Sequence, residues 1–315
     1  MARPRRVRWL VLPGVLGLVI GVLGSGTYAA FSSSTSTSAS ITAAADWVGP
    51  DGSSVIAGTS APVAGTIAAA QTYYVFAMLS DFGNPPSGIA TVTADVSGIS
   101  AGQTAVPLVA GSFSVGGVTY NYRSASVTAD AGLPDGTISY SLAVTDVNGN
   151  TGTLGGYSVV IDNTSPAPAD IQANVGNGIP GAGDVLVFTF SEAMAPGSIL
   201  GGWTGSSTPV QILMRNGGCG TNDSATVLDA GGGSGVHLGT VCLGDVINGN
   251  RTFGTSSMAM AGATVTVTLG GTPGGTKAAA DTTLVWTPDG AATDVAGNPC
   301  STTAVSESGP LDTDF

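Results

Sequence analysis

The chain has 315 residues, of which 43% are hydrophobic, 9% are charged and 49 are glycine. This apolar content with so little charge excludes an intrinsically disordered chain. The formal net charge of −12 argues against nucleic acid and anionic lipid as partners, because both are bound by basic surface. The glycines separate many short Val/Thr/Ile-rich runs, which predicts an all-β protein with frequent turns.

The first 29 residues have the pattern of an export signal. Residues 1–8 contain four arginines, and residues 9–31 contain no charged residue. Small residues before the bond that follows Ala29 predict a signal peptide over 1–29. The alternative is an uncleaved transmembrane helix, because the uncharged stretch is long enough to span a bilayer. A Ser/Thr-rich linker follows at 30–45.

A first β module is predicted over 46–163, and its most regular stretch is 140–163. Tyr140, Leu142 and Val144 alternate with small or polar residues, as in a half-buried strand. Asn148-Gly149 then forms a turn of the kind that joins antiparallel strands, and a second alternating strand ends at Ile161. About seven such strands fit an immunoglobulin-like (Ig-like) sandwich.

A proline-rich linker at 164–168 separates the first module from a second one at 169–305. The second module is predicted to have strands over 184–190 and near 208–214, 236–243, 263–269 and 283–287. A glycine-rich stretch, 215–235, interrupts this pattern and is interpreted as an insertion. An acidic tail follows at 306–315.

Three stretches resemble known bacterial families. Residues 24–47 resemble leaders of exported Gram-positive proteins, including substrates of the signal peptidase that matures biofilm-matrix fibre subunits. The end of the first module resembles bacterial Ig-like repeats of actinobacterial surface proteins. Phe188-Thr189-Phe190-Ser191-Glu192 and the Asp294–Pro299 segment resemble the Ig-like domains of S-layer-type proteins. The resemblance implies two tandem Ig-like β-sandwich modules exported to the surface of a Gram-positive bacterium.

The three cysteines leave one thiol over if a disulfide forms. Cys219 and Cys242 flank the glycine-rich stretch, so a bridge between them is expected in an oxidising compartment. A bridge from Cys300 to either one is the competing arrangement.

Calcium is the best candidate for a bound ligand. A signature of Asp, a short spacer and Gly-Asn occurs at residues 81–84, 146–150 and 294–298. Such loops supply the carboxylate, amide and carbonyl oxygens that Ca²⁺ takes as ligands. The same residues also cap turns without any ion. The predicted calcium ligands are Asp81, Asn84, Asp146, Asn148, Asn150 and Asp162.

Catalytic arrangements are poorly supported. His237 is the only histidine, and no nucleophile elbow accompanies it. Glycoside hydrolysis needs two opposed carboxylates, but Glu192 and Glu307 are the only glutamates. We therefore expect no catalytic residue, and no cofactor other than calcium.

The sequence thus predicts a secreted, non-enzymatic structural or adhesive protein of the cell surface or matrix. Its expected partner is an unidentified extracellular ligand or cell-wall glycan, with membrane contact only through an uncleaved N-terminal segment. One alternative is a self-assembling fibre or layer subunit that pairs through sheet edges such as 263–269. Another is an accessory protein for surface polysaccharide, with sugars stacked on Trp203, Trp286 or Tyr120.

Overall fold

The structure is a computed structural model. It describes residues 17–21, 28–32, 46–59, 65–83, 85–174, 178–271, 273–274, 276–277, 282–309 and 313–315. Within these ranges no helix has the length and apolar character needed to cross a lipid bilayer.

The predicted N-terminal helix is not seen in the part of the leader that the structure describes. Two short strands, β1 (Gly17–Gly21) and β2 (Tyr28–Ser32), pair antiparallel instead. Val19, Ile20 and Tyr28 belong to the residue types that favour extended backbone. The rest of the predicted leader and most of the 30–45 linker lie outside the described residues.

The first module is a nine-stranded sheet. Its strands are β3 (Asp51–Gly58), β4 (Thr66–Ile67), β5 (Thr72–Ser80), β6 (Ile89–Asp95), β7 (Val106–Val115), β8 (Val118–Ser124), β9 (Val127–Thr128), β10 (Gly136–Asp146) and β11 (Thr151–Ile161). The strand order is β3-β5-β8-β7-β6-β10-β11-β4, with β9 paired to β5. The predicted hairpin around Asn148-Gly149 is present as β10 and β11.

This sheet curls on itself like a barrel. Strand β7 turns the corner, because its first residues pair with β6 and its remaining residues pair with β8. The two ends of the sheet approach each other where the Gly65 amide donates to the Ala57 carbonyl at 2.8 Å. The alternating side chains of the strands fill the interior, with Tyr73, Leu142 and Ile161 fully buried.

The second module is also a nine-stranded sheet. Its strands are β12 (Pro168–Ala173), β13 (Val185–Phe190), β14 (Thr208–Cys219), β15 (Asn222–Asp229), β16 (Thr240–Cys242), β17 (Arg251–Ala261), β18 (Thr264–Thr268), β19 (Val285–Thr287) and β20 (Val305–Ser306), with a four-residue helix α1 (Pro196–Ile199). The order is β12-β13-β18-β17-β14-β15-β16-β19-β20.

The core of the second module is built around Trp286. Phe188 and Phe190 meet its indole edge-to-face at 5.2 and 5.0 Å, and the indole N–H donates to the Leu238 carbonyl. The indole is fully buried with its polar atom satisfied. Gln172 on β12 donates to the carbonyl of Ser308, just beyond β20, and the Ser308 amide donates to the carboxylate of Asp170 on β12. These bonds close the sheet into a barrel-like form.

The glycine-rich stretch 215–235, interpreted from the sequence as an insertion, consists largely of strands. Much of the stretch continues the hairpin β14–β15, in which Met214 pairs with Ala225 and Cys219 pairs with Asn222. Cys219 is disulfide-bonded to Cys242 as predicted, with their Cα atoms 5.7 Å apart, while Cys300 is a buried free thiol. The bridge fastens the tip of this hairpin to β16.

In each module we call the end where the first strand begins its entry pole, and the opposite end its exit end. The entry pole of the first module contains segments 46–51, 80–83, 85–89 and 146–151. That of the second module contains 162–168, 190–196 and 293–299. The second entry pole lies against the exit end of the first module, where the chain passes from one sheet to the other.

Candidate metal centre

Three carboxylates meet at the entry pole of the first module. Asp46, Asp81 and Asp146 each present an oxygen within 4.8 Å of the others. Asp46 precedes β3, Asp81 follows β5 and Asp146 ends β10. These strand ends lie side by side because β3 pairs antiparallel with β5 and the sheet curls β10 towards them.

Asp146 and Asn150 brace this cluster. The Asp146 carboxylate accepts the backbone N–H of Asn150 at 2.8 Å and its side-chain amide at 2.6 Å. The same amide donates to the Asp46 carbonyl at 2.8 Å, which ties the module's first residue to its closing hairpin. Burial raises the pKa of Asp146, but the hydrogen bonds from Asn150 outweigh it and the net pKa is lowered.

Backbone donors hold the other two carboxylates. Asp46 accepts from the amides of Val48 and Ser87, and the Val48 bond is the main cause of its lowered pKa. Asp81 accepts from the Gly88 amide at 2.6 Å. Hydrogen bonds of this kind favour the ionised form, so the cluster concentrates negative charge.

A second cluster has the same construction at the entry pole of the second module. Asp162, Glu192 and Asp294 also lie with one oxygen each within 4.8 Å of the others. Asp162 comes before β12, Glu192 follows β13 and Asp294 lies in the closing turn. These positions correspond one by one to Asp46, Asp81 and Asp146.

Asn298 has the same role in the second cluster as Asn150 has in the first. Asp294 accepts the Asn298 backbone N–H and its side-chain amide, both at 2.8 Å, and that amide donates to the Asp162 carbonyl at 2.9 Å. Each bond matches one made by Asn150. Asp146 and Asp294 are almost completely buried, with exposed fractions of 2% and 1%.

Glu192 distinguishes the second cluster. Its Oε1 is buried and has no hydrogen-bond partner among the residues that the structure describes. Burial raises the pKa of Glu192, and the charges of Asp162, Asp294 and Asp135 add to this effect. An unpartnered carboxylate oxygen beside two further carboxylates is stabilised by a cation, and an all-oxygen set matches the preference of Ca²⁺.

Cys300 lies near this cluster but does not extend the ligand set. Burial raises the pKa of its thiol to about 11, and the Glu192 charge contributes to the rise. The thiol therefore stays protonated at neutral pH, whereas metal ligation by cysteine requires the thiolate.

The structure divides the predicted calcium ligands between two places. Asp81 and Asp146 lie together in the first cluster, whereas Asp162 belongs to the second. Asn150 acts through its amide nitrogen as a brace, Asn148 is exposed in the turn, and Asn84 lies outside the described residues. Asp162 is separated from the first two because it comes at the exit end of β11.

The sequence analysis did not include Asp46 among the ligands, and it did not group Asp162 with Glu192 and Asp294. Aligning the two modules with each other would have indicated both. Leu79-Ser80-Asp81 matches Phe190-Ser191-Glu192, and Asp146-Val147-Asn148-Gly149-Asn150 matches Asp294-Val295-Ala296-Gly297-Asn298. An aspartate also precedes the first strand of each module.

The second cluster forms part of the joint between the modules. A side chain added at Gly297 would begin 2.5 Å from the amide nitrogen of Gln71, so the first module lies directly on this turn. Asn163 donates to Leu133 and Asp135 of the first module. A cleft of about 460 Å³ remains beside the joint, lined by Gln71, Trp203 and Asp294 among others.

The residues considered for catalysis or sugar stacking are placed elsewhere. His237 Nδ1 lies 2.7 Å from Asp289 Oδ2 on the partly exposed surface. The pKa of Asp289 is lowered, mainly by the Ala291 amide and then by His237. Trp286 and Tyr120 are 0% and 3% exposed, so they pack in the interior and offer no open stacking face. Trp203 is 7% exposed and lines the cleft beside the joint.

Comparison of the chain with protein-family models, with curated proteins and with solved structures gives no match.

Proposed function

We propose that this is an exported, non-enzymatic structural protein of the bacterial cell surface or matrix, in which calcium stiffens two Ig-like modules. The observation that carries the proposal is the repetition of one constellation, three acidic residues braced by an asparagine, at the entry pole of both modules. A cation at the second pole would bind next to the joint between the modules.

The Ig-like assignment rests on topology and sequence together. In each module a mostly antiparallel sheet encloses a large apolar core. In the first module β7 changes partners as a strand does when it passes between the two layers of a sandwich. The disulfide agrees with export to an oxidising compartment. A stiff pair of modules suits a protein that holds a surface away from the cell.

Calcium is favoured because of the ligand chemistry. Both clusters contain carboxylate oxygens only, the donor type that Ca²⁺ prefers. Three acidic groups held together repel one another, and a bound divalent cation would offset that repulsion. Binding to the folded state alone stabilises it by about 2.7 kcal/mol when the ion is at 100 times its dissociation constant.

The test is thermal unfolding of the full chain in millimolar Ca²⁺ and in EGTA. We expect a higher melting temperature in calcium, and a smaller calcium effect in the variant Glu192→Gln. The matched control is Asp95→Asn, which removes one negative charge from an exposed aspartate bonded only to Ser97. Equal melting temperatures of the unchanged protein in calcium and in EGTA would refute the calcium role.

A further inference from the structure

The entry pole of the first module carries an exposed apolar patch. Eight large apolar side chains are exposed among the described residues, and four of them lie at this one pole: Trp47, Val48, Phe82 and Val147, with exposed fractions of 71, 48, 65 and 65%. Trp47, Phe82 and Val147 each directly follow a carboxylate of the first cluster. Exposed apolar groups concentrated in this way mark an interaction surface.

The structure itself shows what covers such a pole. At the second entry pole the corresponding positions are Asn163, Ala193 and Val295, and the exit end of the first module is seated there. Val295 is partly buried, whereas its counterpart Val147 is exposed. The first pole thus has the construction of a covered pole, with larger apolar groups that the described part of the chain leaves exposed.

The exit end of the second module offers basic side chains to this pole, beside Asp184, Asp223 and Asp245 at the same end. Segments 46–51, 80–83, 85–89 and 146–151 contain four aspartates and no lysine or arginine. All three basic residues of the second module, Arg215, Arg251 and Lys277, lie at its exit end, as the strand pairings place them. Lys277 pairs with Asp245, but Arg215 and Arg251 form no ion pair with a carboxylate in the described part of the chain.

From these observations we propose that the exit end of the second module of one copy docks on the entry pole of the first module of the next copy. This contact is heterologous and repeats head to tail, so it builds open chains of molecules. The chain's own linker 33–45 is a poor cover for the patch, because Ile41 is its only large apolar residue. The proposal does not depend on calcium.

The test uses sedimentation velocity of the full chain at increasing concentration in EDTA, so that calcium has no part in the outcome. We expect the average mass to rise with concentration and to fall with added salt, because small interfaces are weak and exposed charges are screened. Two variants block opposite ends: Trp47→Ser with Phe82→Ser at the entry pole, and Arg215→Glu with Arg251→Glu at the exit end.

Each double variant alone is expected to stay monomeric, while their mixture forms a single intact joint and therefore dimers but no longer chains. The control is Val109→Ser with Val160→Ser, which alters exposed valines away from the pole and leaves assembly unchanged. Dimers of the exit-end variant alone would indicate pole-to-pole pairing and overturn the proposal.

Two further outcomes also overturn it. One is a wild-type protein that stays monomeric at every concentration. The other uses an environment-sensitive dye attached to the variant Val147→Cys. If its emission shifts when phosphatidylglycerol vesicles are added, while the protein remains monomeric in solution, the patch binds a lipid surface.

Discussion

The two entry poles share one constellation of acidic residues but differ in what lies on top of them. At the first pole Val147 is 65% exposed and a side chain added at Gly149 would meet no neighbour within 4 Å. At the second, Gly297 lies against Gln71 and Asn163 is bonded to the first module. The acidic cluster is therefore a property of each module, whereas its cover depends on the neighbour.

The largest expected effect comes from removing the braced aspartate of either pole. Asp146→Ala and Asp294→Ala each leave a partly buried asparagine without its acceptor, at a cost of about 3 kcal/mol in unfolding free energy. We expect Asp294→Ala to cost more, because the Asn298 bond to Asp162 at the joint loosens as well. Urea unfolding of both variants measures the difference, and equal costs would show that the joint adds nothing. Asp95→Ala is the control and should change stability by less than about 0.5 kcal/mol.

The second-largest expected effect is a difference between the two poles in what the loss of a calcium ligand does. Asp81→Asn is expected to remove one ion and leave the joint unaffected, whereas Glu192→Gln removes the ion that lies at the joint. Titration calorimetry counts the ions, and small-angle scattering follows the stiffness of the two-module unit. If Asp81→Asn loosens the unit as much as Glu192→Gln does, the assignment of the second cluster to the joint is wrong.

Two glycines at equivalent turns offer a smaller test. Gly149 and Gly297 have φ values of +86° and +94°, so alanine is strained at both, by about 1 kcal/mol. Gly297→Ala would also collide with Gln71, and its melting temperature should fall further than that of Gly149→Ala. The double variant Gly297→Ala, Gln71→Ala should recover the extra loss; a persistent difference would place its cause elsewhere.

The smallest expected effect is the pH dependence of stability that the second pole contributes when no metal is bound. The pKa of Glu192 is raised in the folded state, so protonation favours folding. This contribution to stability is fully present below the unfolded pKa, about 4.3, and is lost as pH rises through the folded pKa. In EGTA, Glu192→Gln should therefore melt higher than the unchanged protein at neutral pH, with the gap closing at low pH. A difference in melting temperature that does not change with pH would contradict the raised pKa of Glu192.

Alternating apolar residues and Asn-Gly or Gly-rich turns were enough to predict an all-β chain and the hairpin β10–β11. Four strands of the second module, β12, β15, β17 and β20, are not among the predicted ones, and the local patterns of β15 and β17 are weak. β15 was assigned to a glycine-rich insertion, and β17 contains Gly254, Thr255, Ser256 and Ser257 within a strand that only its neighbours β14 and β18 define. Both β15 and β17 form because they pair with strands that are distant in the sequence.

Local sequence is enough to predict that acidic and asparagine residues follow the strands of both modules, because the Asp-x-x-Gly-Asn pattern is contiguous in the chain. Which of these residues meet depends on how the distant strands pack. Asp46 joins Asp81 and Asp146, and Asp162 leaves them for Glu192 and Asp294, because curled antiparallel sheets bring distant strand ends to one pole. The same long-range packing covers one pole and leaves Trp47, Phe82 and Val147 exposed at the other.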